Sequence, residues 1–238
     1  MSSSNFLSHG PSTIIVEGNI GAGKSTFLRL LHEILGTQVV YEPNAKWQNI
    51  DGENLLDYFY KDSPRWAYTF QSYAFVTRIM AQEDAYKKDP QPFQILERSV
   101  YSDRYCFAKN AYELGVMTSL EWKLYQDWWA WFVTNYTKKP LGFVYLQTPA
   151  EVCFERIKKR SRSEEAAVPL SYVEKLHEKH EAWLIEKQDV LPFLKDTPVL
   201  VLDCSKEFET DEQLAREYAY KVAEFFGIPT SLDLGKTK

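Results

Sequence analysis

Short apolar runs alternate with longer amphipathic stretches along the chain. Residues 13–16, Thr-Ile-Ile-Val, predict a buried strand; a glycine-rich turn then leads into a helix over residues 24–35. Gly36 ends that helix, because glycine tolerates the left-handed backbone of a helix C-terminus. Residues 38–41 predict a second strand, stopped by Pro43, which also biases Glu42 toward extended backbone. Residues 93–96, 141–146 and 199–202 complete a set of five short strands. Near-continuous apolar strands separated by helices point to a parallel sheet covered on both faces, an α/β fold.

The helices carry start signals of their own. Thr118 with Glu121, Thr148 with Glu151 and Thr210 with Gln213 have capping-box spacing, and Pro149 suits a first helical position. Two longer helices are expected over residues 64–86 and 169–187. No internal repeat, low-complexity tract or linker interrupts the pattern. One domain over residues 1–238 is expected, with its core at about 13–227 and frayed ends at 1–11 and 230–238.

Composition narrows the partners. Against 28 Lys+Arg stand 33 Asp+Glu, a net charge of −5, so a nucleic-acid partner is disfavoured for want of a basic face. No run approaches 18 apolar residues, so no membrane partner is expected. Cys106, Cys153 and Cys204 show no C-x-x-C spacing, and residues 1–12 resemble neither a secretory signal nor a transit peptide. Buried, reduced thiols and a cytoplasmic location follow as expectations.

The first strand runs into Gly18-Asn19-Ile20-Gly21-Ala22-Gly23-Lys24-Ser25, which matches G-x-x-x-x-G-K-[ST]. Backbone N–H groups in such a loop converge on phosphate oxygens, helped by the positive end of the next helix. Lys24 would reach the β- and γ-phosphates and the Ser25 hydroxyl would ligate Mg²⁺, with Thr26 following. This identifies a nucleotide rather than a reaction. A guanine-reading N-K-x-D is lacking, which leaves kinases of small acceptors as the leading class.

Acidic residues lie where three strands end: Glu17, Glu42 and Glu97. Phosphoryl transfer to a hydroxyl needs one group to orient or accept its proton and another to help hold Mg²⁺. Glu42 suits the first role and Glu97 the second. Arg156, Arg160 and Arg162 fall within one basic stretch, and the first two share a helix face. Such cations can neutralise charge developing on the transferred group. Aromatic residues crowd around Gln71, whose amide needs partners if it is buried.

Together, V-E-G-N-I-G-A-G-K-S-T, Y-E-P-N-A-K-W, R-W-A-Y-T-F-Q-S-Y, E-R-S-V-Y-S-D-R-Y and R-I-K-K-R-S-R-S-E-E resemble the deoxynucleoside kinase family over residues 14–226. The resemblance implies a P-loop kinase fold, a five-stranded parallel sheet surrounded by helices with an arginine-rich lid, working as a homodimer through helix-to-helix contacts. It implies ATP as phosphate donor, Mg²⁺, and a deoxynucleoside acceptor. In that family's terms Glu42 resembles the base acting on the 5′-hydroxyl, and Arg98 the cation that holds it. Glu97 resembles the carboxylate that supports Mg²⁺. Tyr60 and Glu165 match the pair binding the 3′-hydroxyl, Gln71 the reader of the base edge, and Trp47, Phe70 and Phe107 the walls around the base. Arg156, Arg160 and Arg162 match the lid arginines.

Arg78 and Asp103 resemble the pair of the deoxycytidine and deoxyguanosine enzymes, which disfavours thymidine. Ala74 resembles the cytidine enzyme, whereas Phe75 and the F-A-K-N stretch at residues 107–110 resemble the guanosine enzyme. Asn44 departs from the family's usual valine, and the connection from Trp47 to Tyr60 is short. A purine deoxynucleoside is therefore the expected substrate, deoxycytidine the alternative, and a nucleoside monophosphate kinase a more distant one.

Overall fold

Strands β1 (Ser12–Glu17), β2 (Val39–Val40), β3 (Phe93–Glu97), β4 (Gly142–Gln147) and β5 (Val199–Asp203) form one sheet in the order β2-β3-β1-β4-β5. All four pairings are parallel. The structure is a computed structural model and describes residues 10–229. Its helices are α1 (Lys24–Leu35), α2 (Asn44–Gln48), α3 (Leu55–Lys61), α4 (Ser63–Lys88), α5 (Val100–Ser102), α6 (Lys109–Glu113), α7 (Ser119–Tyr136), α8 (Ala150–Arg160), α9 (Leu170–His180), α10 (Pro192–Asp196) and α11 (Glu212–Phe226). Wide π-helical turns at Asp103–Ala108 and Glu181–Ile185 extend α5 and α9, and Ser163–Glu165 is a 3₁₀ turn.

The central strand explains the layering. Ile14 pairs with Ile95 on one side and Gly142 on the other, and successive side chains alternate faces. Ile14 and Val16 pack with Phe27, Leu28 and Leu31 of α1 and Ala219 and Val222 of α11. Ile15 faces the other way, into a cluster with Phe75 of α4, Tyr125 and Trp129 of α7, and Trp183. Both faces of this central strand are buried, as a parallel sheet requires. The three cysteines are buried and unpaired within these layers.

Several local expectations change. β2 keeps only Val39 and Val40, because the chain beyond leaves the sheet to bring Glu42 to the cleft. The Thr118–Glu121 capping box forms with both hydrogen bonds. Thr148 instead donates to the Leu146 carbonyl, so Pro149 stands one residue before the first helical position. At α11 the cap is Asp211, not Thr210, its carboxylate accepting from the Leu214 N–H at 3.0 Å. The expected 169–187 helix runs as α9 into the second π turn. Gly10 and Pro11, expected to fray, are buried, and the Gly10 carbonyl accepts from Lys138. The expected fraying of residues 1–9 and 230–238 lies outside the described residues.

Candidate active site

The carboxyl ends of β1, β2 and β3 open onto a cleft of about 470 Å³. In an open parallel sheet this is where ligands bind. One end of the cleft is the phosphate loop. Gly21 and Gly23 take left-handed backbone, φ 80° and 91°. A Cβ on Gly21 would stand 2.4 Å from the Cys153 carbonyl oxygen, and one on Gly23 would stand 2.8 Å from the Phe208 ring. Only glycine allows both the turn and this close approach. Ile20, Gly21, Gly23, Lys24, Ser25 and Thr26 line the cleft. Gly18, Asn19 and Ala22, expected to bind nucleotide, do not line it. Asn19 props the loop from behind, its amide donating to the Val173 carbonyl at 2.8 Å and its Oδ1 accepting from the Ile20 N–H at 2.8 Å.

Lys24 Nζ donates to the Asn19 carbonyl at 2.7 Å. Burial pushes this ammonium down to about 7, and Arg98 pushes the same way against the attraction of Glu97, Glu42 and Glu17. A polyanion arriving here would restore its charge. Beside it, the Ser25 hydroxyl donates to Glu97 Oε1 at 2.7 Å, and Glu97 Oε2 accepts from the Glu42 backbone N–H at 3.3 Å. A hydroxyl and a carboxylate are hard oxygen donors that fit Mg²⁺, an ion held by one or two carboxylates with water and phosphate oxygens. Among the described residues no cluster of three or more His, Cys, Asp or Glu is placed to hold a metal ion.

Glu42 stands at the middle of the cleft. Arg78 Nη2 donates to its Oε1 at 2.8 Å, and Arg98 Nε lies 3.5 Å from the same oxygen. Burial alone would raise the carboxyl, but Arg78, Arg98 and Lys24 outweigh it and hold Glu42 well below the usual carboxylate range. Arg98 is buried with a left-handed backbone, φ 62°, a strained conformation for a residue with a side chain. Its N–H donates to the Val16 carbonyl at 2.9 Å, and its guanidinium lies 4.7 Å from the Phe107 ring centre. Immediately after it, Ser99 and Ser102 form a capping box that fixes the start of α5. Arg78 is also clamped in two places to Asp103, through Nε at 2.8 Å and Nη2 at 2.9 Å.

The far end of the cleft is aromatic. Trp47 and Phe70 meet edge to face at 5.5 Å, with Phe107 also lining the space. The Trp47 indole N–H donates to Thr77 Oγ1 at 2.9 Å, which fixes the ring. Gln71 is 2% exposed, and its Nε2 has no partner among the described residues. A buried amide of this kind, lining a cleft, can pair with a ligand that enters it. Ala74, one turn along α4, leaves room beside it.

A family model for deoxynucleoside kinase matches residues 14–226. The chain is 42% identical over 229 residues to deoxycytidine kinase 2 of Gallus gallus, covering 86% of each chain. It is 40% identical over 232 residues to the mitochondrial deoxyguanosine kinase of Xenopus laevis, covering 88% of each. It is 39% identical over 236 residues to deoxycytidine kinase of Homo sapiens, covering 89% of this chain and 90% of that one. The chain belongs to the deoxynucleoside kinase family. It is an enzyme, a phosphotransferase acting on a deoxynucleoside, and none of its described helices is long and apolar enough to cross a membrane.

In this kinase the basic stretch borders the cleft. Arg156, Arg160 and Arg162 all line it. Arg156 donates to the carbonyls of Cys204 at 3.4 Å and Lys206 at 3.1 Å. Arg160 Nη2 reaches both oxygens of Glu165, at 2.7 and 2.6 Å, while Arg162 lies 3.7 Å away. Glu165 thus belongs to the basic stretch's own ion network, and Tyr60 also lines the cleft. Phe75 does not line the kinase's cleft: it faces Tyr125 and Phe132 in the core. Among residues 107–110, only Phe107 reaches the cleft.

The fold also brings in residues that the motifs did not flag for the site. Tyr172 and Phe208 line the cleft from segments distant in sequence. Glu164 closes a contact to the opposite wall, its Oε1 accepting from Gln48 and Asn54, both at 2.9 Å. The R-S-R-S-E-E stretch held the only signal for Glu164, and it said nothing of those partners. Glu17 is fully buried behind the phosphate loop, where its carboxylate accepts from the Ser99 hydroxyl at 2.5 Å. Burial pushes it up to about 7, against Arg98, Ser99 and Ser102.

Proposed function

We propose that the chain, as one catalytic unit, phosphorylates the 5′-hydroxyl of a purine deoxynucleoside, deoxyadenosine or deoxyguanosine, using ATP with Mg²⁺. The observation that carries this reading is Glu42: a half-buried, ionised carboxylate clamped by Arg78 and Arg98 between a phosphate loop and an aromatic pocket. The acceptor hydroxyl donates its hydrogen bond to Glu42, which aligns one lone pair with the γ-phosphorus. As the new oxygen–phosphorus bond forms and the bond to the bridging oxygen breaks, the hydroxyl proton passes to Glu42. In a loose transition state this transfer comes late, so a weakly basic carboxylate suffices. Lys24, Arg98 and the lid arginines offset the charge spreading over the phosphoryl oxygens. Mg²⁺ held beside Ser25 and Glu97 would neutralise phosphate charge.

Tyr60 and Glu165 are assigned to the 3′-hydroxyl. Burial raises the Tyr60 phenol well above its ordinary value, so it keeps a proton to donate. Trp47, Phe70 and Phe107 sandwich the base, and Gln71 offers its edge both a donor and an acceptor. Gln71 and Arg78 lie seven residues apart on α4, roughly 10 Å along the axis, with only Ala74 between them on that wall. That length suits a bicyclic base. Support for a purine therefore rests on the slot, not on Phe75; the Arg78–Asp103 pair disfavours thymidine only.

A homodimer is proposed through α7, whose Leu120, Leu124, Trp128 and Trp131 are exposed at helical spacing. The cytosol is the proposed location, on the three unpaired thiols. Steady-state kinetics with Mg-ATP test the substrate. The kcat/KM values for deoxyadenosine and deoxyguanosine should exceed those for deoxycytidine and thymidine. Leadership by deoxycytidine would remove the purine assignment, and turnover of none of the four would remove the acceptor assignment altogether.

A further inference from the structure

We propose that Asn44 donates a hydrogen bond to N7 of the purine, so that one side-chain amide sets purine over pyrimidine preference. This deepens the nucleoside-kinase reading and rests on it. Asn44 opens α2 two residues after Glu42, and its backbone N–H donates to the Glu42 carbonyl at 2.8 Å. That tight turn holds the two residues side by side. The Asn44 side chain is half-buried, lines the cleft, and has no hydrogen-bond partner among the described residues. Trp47, three residues on, shares its helix face and is anchored through its indole to Thr77, so α2 presents that face to the cleft in a fixed orientation.

Nucleoside geometry says what Asn44 meets. With the base anti to the sugar, the base edge over C5′ carries C8–H and N7 in a purine. In a pyrimidine the same edge carries C6–H and C5–H. Glu42 takes the 5′-hydroxyl, while Gln71 and Asp103 take the opposite, Watson–Crick side. Asn44, beside Glu42, therefore falls along the C8/N7 edge. An amide N–H pairs with N7; a C5–H offers it no acceptor and leaves a desolvated amide unpaired. The same amide can also accept from the adenine 6-amino group, a pairing asparagine makes in nucleic-acid recognition. With guanine both amide hydrogens can be donated, to N7 and O6. Asn44 separates ring systems, not the two purines.

The test removes the acceptor from the ligand and the donor from the protein. Deoxyguanosine and 7-deaza-2′-deoxyguanosine, in which N7 is replaced by C–H, are compared as acceptors for the wild type and for Asn44→Ala. The wild type should lose about two- to twelvefold in kcat/KM on the 7-deaza compound, the range of one neutral hydrogen bond. Asn44→Ala should treat the two alike, and the ratio of its kcat/KM on deoxyguanosine to that on deoxycytidine should fall below the wild-type ratio. Because the Asn44 side chain satisfies no internal group, the variant should keep the wild-type melting temperature. Should Asn44→Ala nonetheless unfold, Asn44→Asp repeats the comparison with a side chain of the same size that cannot donate. Equal rates on both acceptors in the wild type, or the same penalty in a folded variant, would overturn the role of Asn44 alone. A wild type inactive on every deoxynucleoside would instead overturn the parent reading, and this one with it.

Discussion

The two ends of the cleft are built by different means. At the phosphate end, the lining comes from six residues of one nine-residue run, and the run is shaped mainly by backbone: glycines with left-handed φ and the start of α1. At the nucleoside end, every group is a side chain, drawn from β2's exit, α2, α4, β3's exit, the π turn and the lid. The first end is specified locally, and its failure modes are steric. The second is specified by long-range pairing among buried ions, and its failure modes are electrostatic. Substitutions should therefore separate the two ends by the parameter they move.

The largest effect is expected at Glu42. Glu42→Gln keeps the size and the backbone turn but removes the charge between Arg78 and Arg98. The turnover number should fall by about 10² to 10⁴, the usual worth of a positioned base, with little change in the ATP dissociation constant. An ATP affinity that collapsed along with turnover would mean that the two ends are not separable.

Gly21→Ala is the mirror experiment. The added Cβ meets backbone, the Cys153 carbonyl at 2.4 Å, at a φ of 80° that alanine resists. Strain of this kind should weaken ATP binding by on the order of tenfold to a hundredfold. Nucleoside affinity measured without ATP should stay within about twofold. A parallel loss of nucleoside affinity would show the loop and the aromatic pocket to be one unit.

This asymmetry also explains what could be read before folding. The phosphate loop was legible because its chemistry is contiguous, and the sheet was legible because parallel strands must be apolar on both faces. Glu42, Arg98, Gln71 and Phe107 were legible only inside motifs. That Gly18, Asn19 and Ala22 support the loop without lining the cleft was not, since position in a motif says nothing about which way a residue faces. Phe75 shows the same limit: it neighbours Ala74 in sequence, yet a helix turns adjacent residues about 100° apart, and one lines the cleft while the other fills the core. The caps at Asp211 and at Ser99–Ser102 were missed because several Ser, Thr and Asp residues stood within one turn of each helix start.

Glu17 tests the phosphate end through pH. Its folded value is raised to about 7 from an ordinary 4.5, chiefly by burial. The folded state thus holds a proton that the unfolded chain releases between those values, and stability falls as pH rises across that window. No such cost exists below pH 4.5. Glu17→Gln should be more stable than the wild type above pH 7, by about 1 to 3 kcal/mol, and the difference should vanish near pH 4. Thermal melts across that range read it directly. A gain independent of pH would assign the effect to packing rather than to the buried charge.

The smallest effect is expected at Glu164, and it sharpens the contrast most finely. Its carboxylate joins the lid's 3₁₀ turn to Gln48 on α2 and to Asn54, the cap of α3. These hydrogen bonds, with Asn54 the strongest, hold the carboxyl down at about 2, so the link is fully charged at neutral pH. The neighbouring Glu165 faces the cleft, so the link sets where that residue stands relative to Tyr60. Glu164→Ala should raise the nucleoside KM by about two- to tenfold, the worth of one or two such bonds. It should leave kcat and ATP affinity within about twofold, because neither Glu42 nor the phosphate loop is touched. Glu164→Gln, which keeps an acceptor oxygen for Asn54, should recover most of the loss. An unchanged nucleoside KM in both variants would mean that the walls of the nucleoside end hold their places without the lid, and that its side-chain network is more rigid than its scattered origin implies.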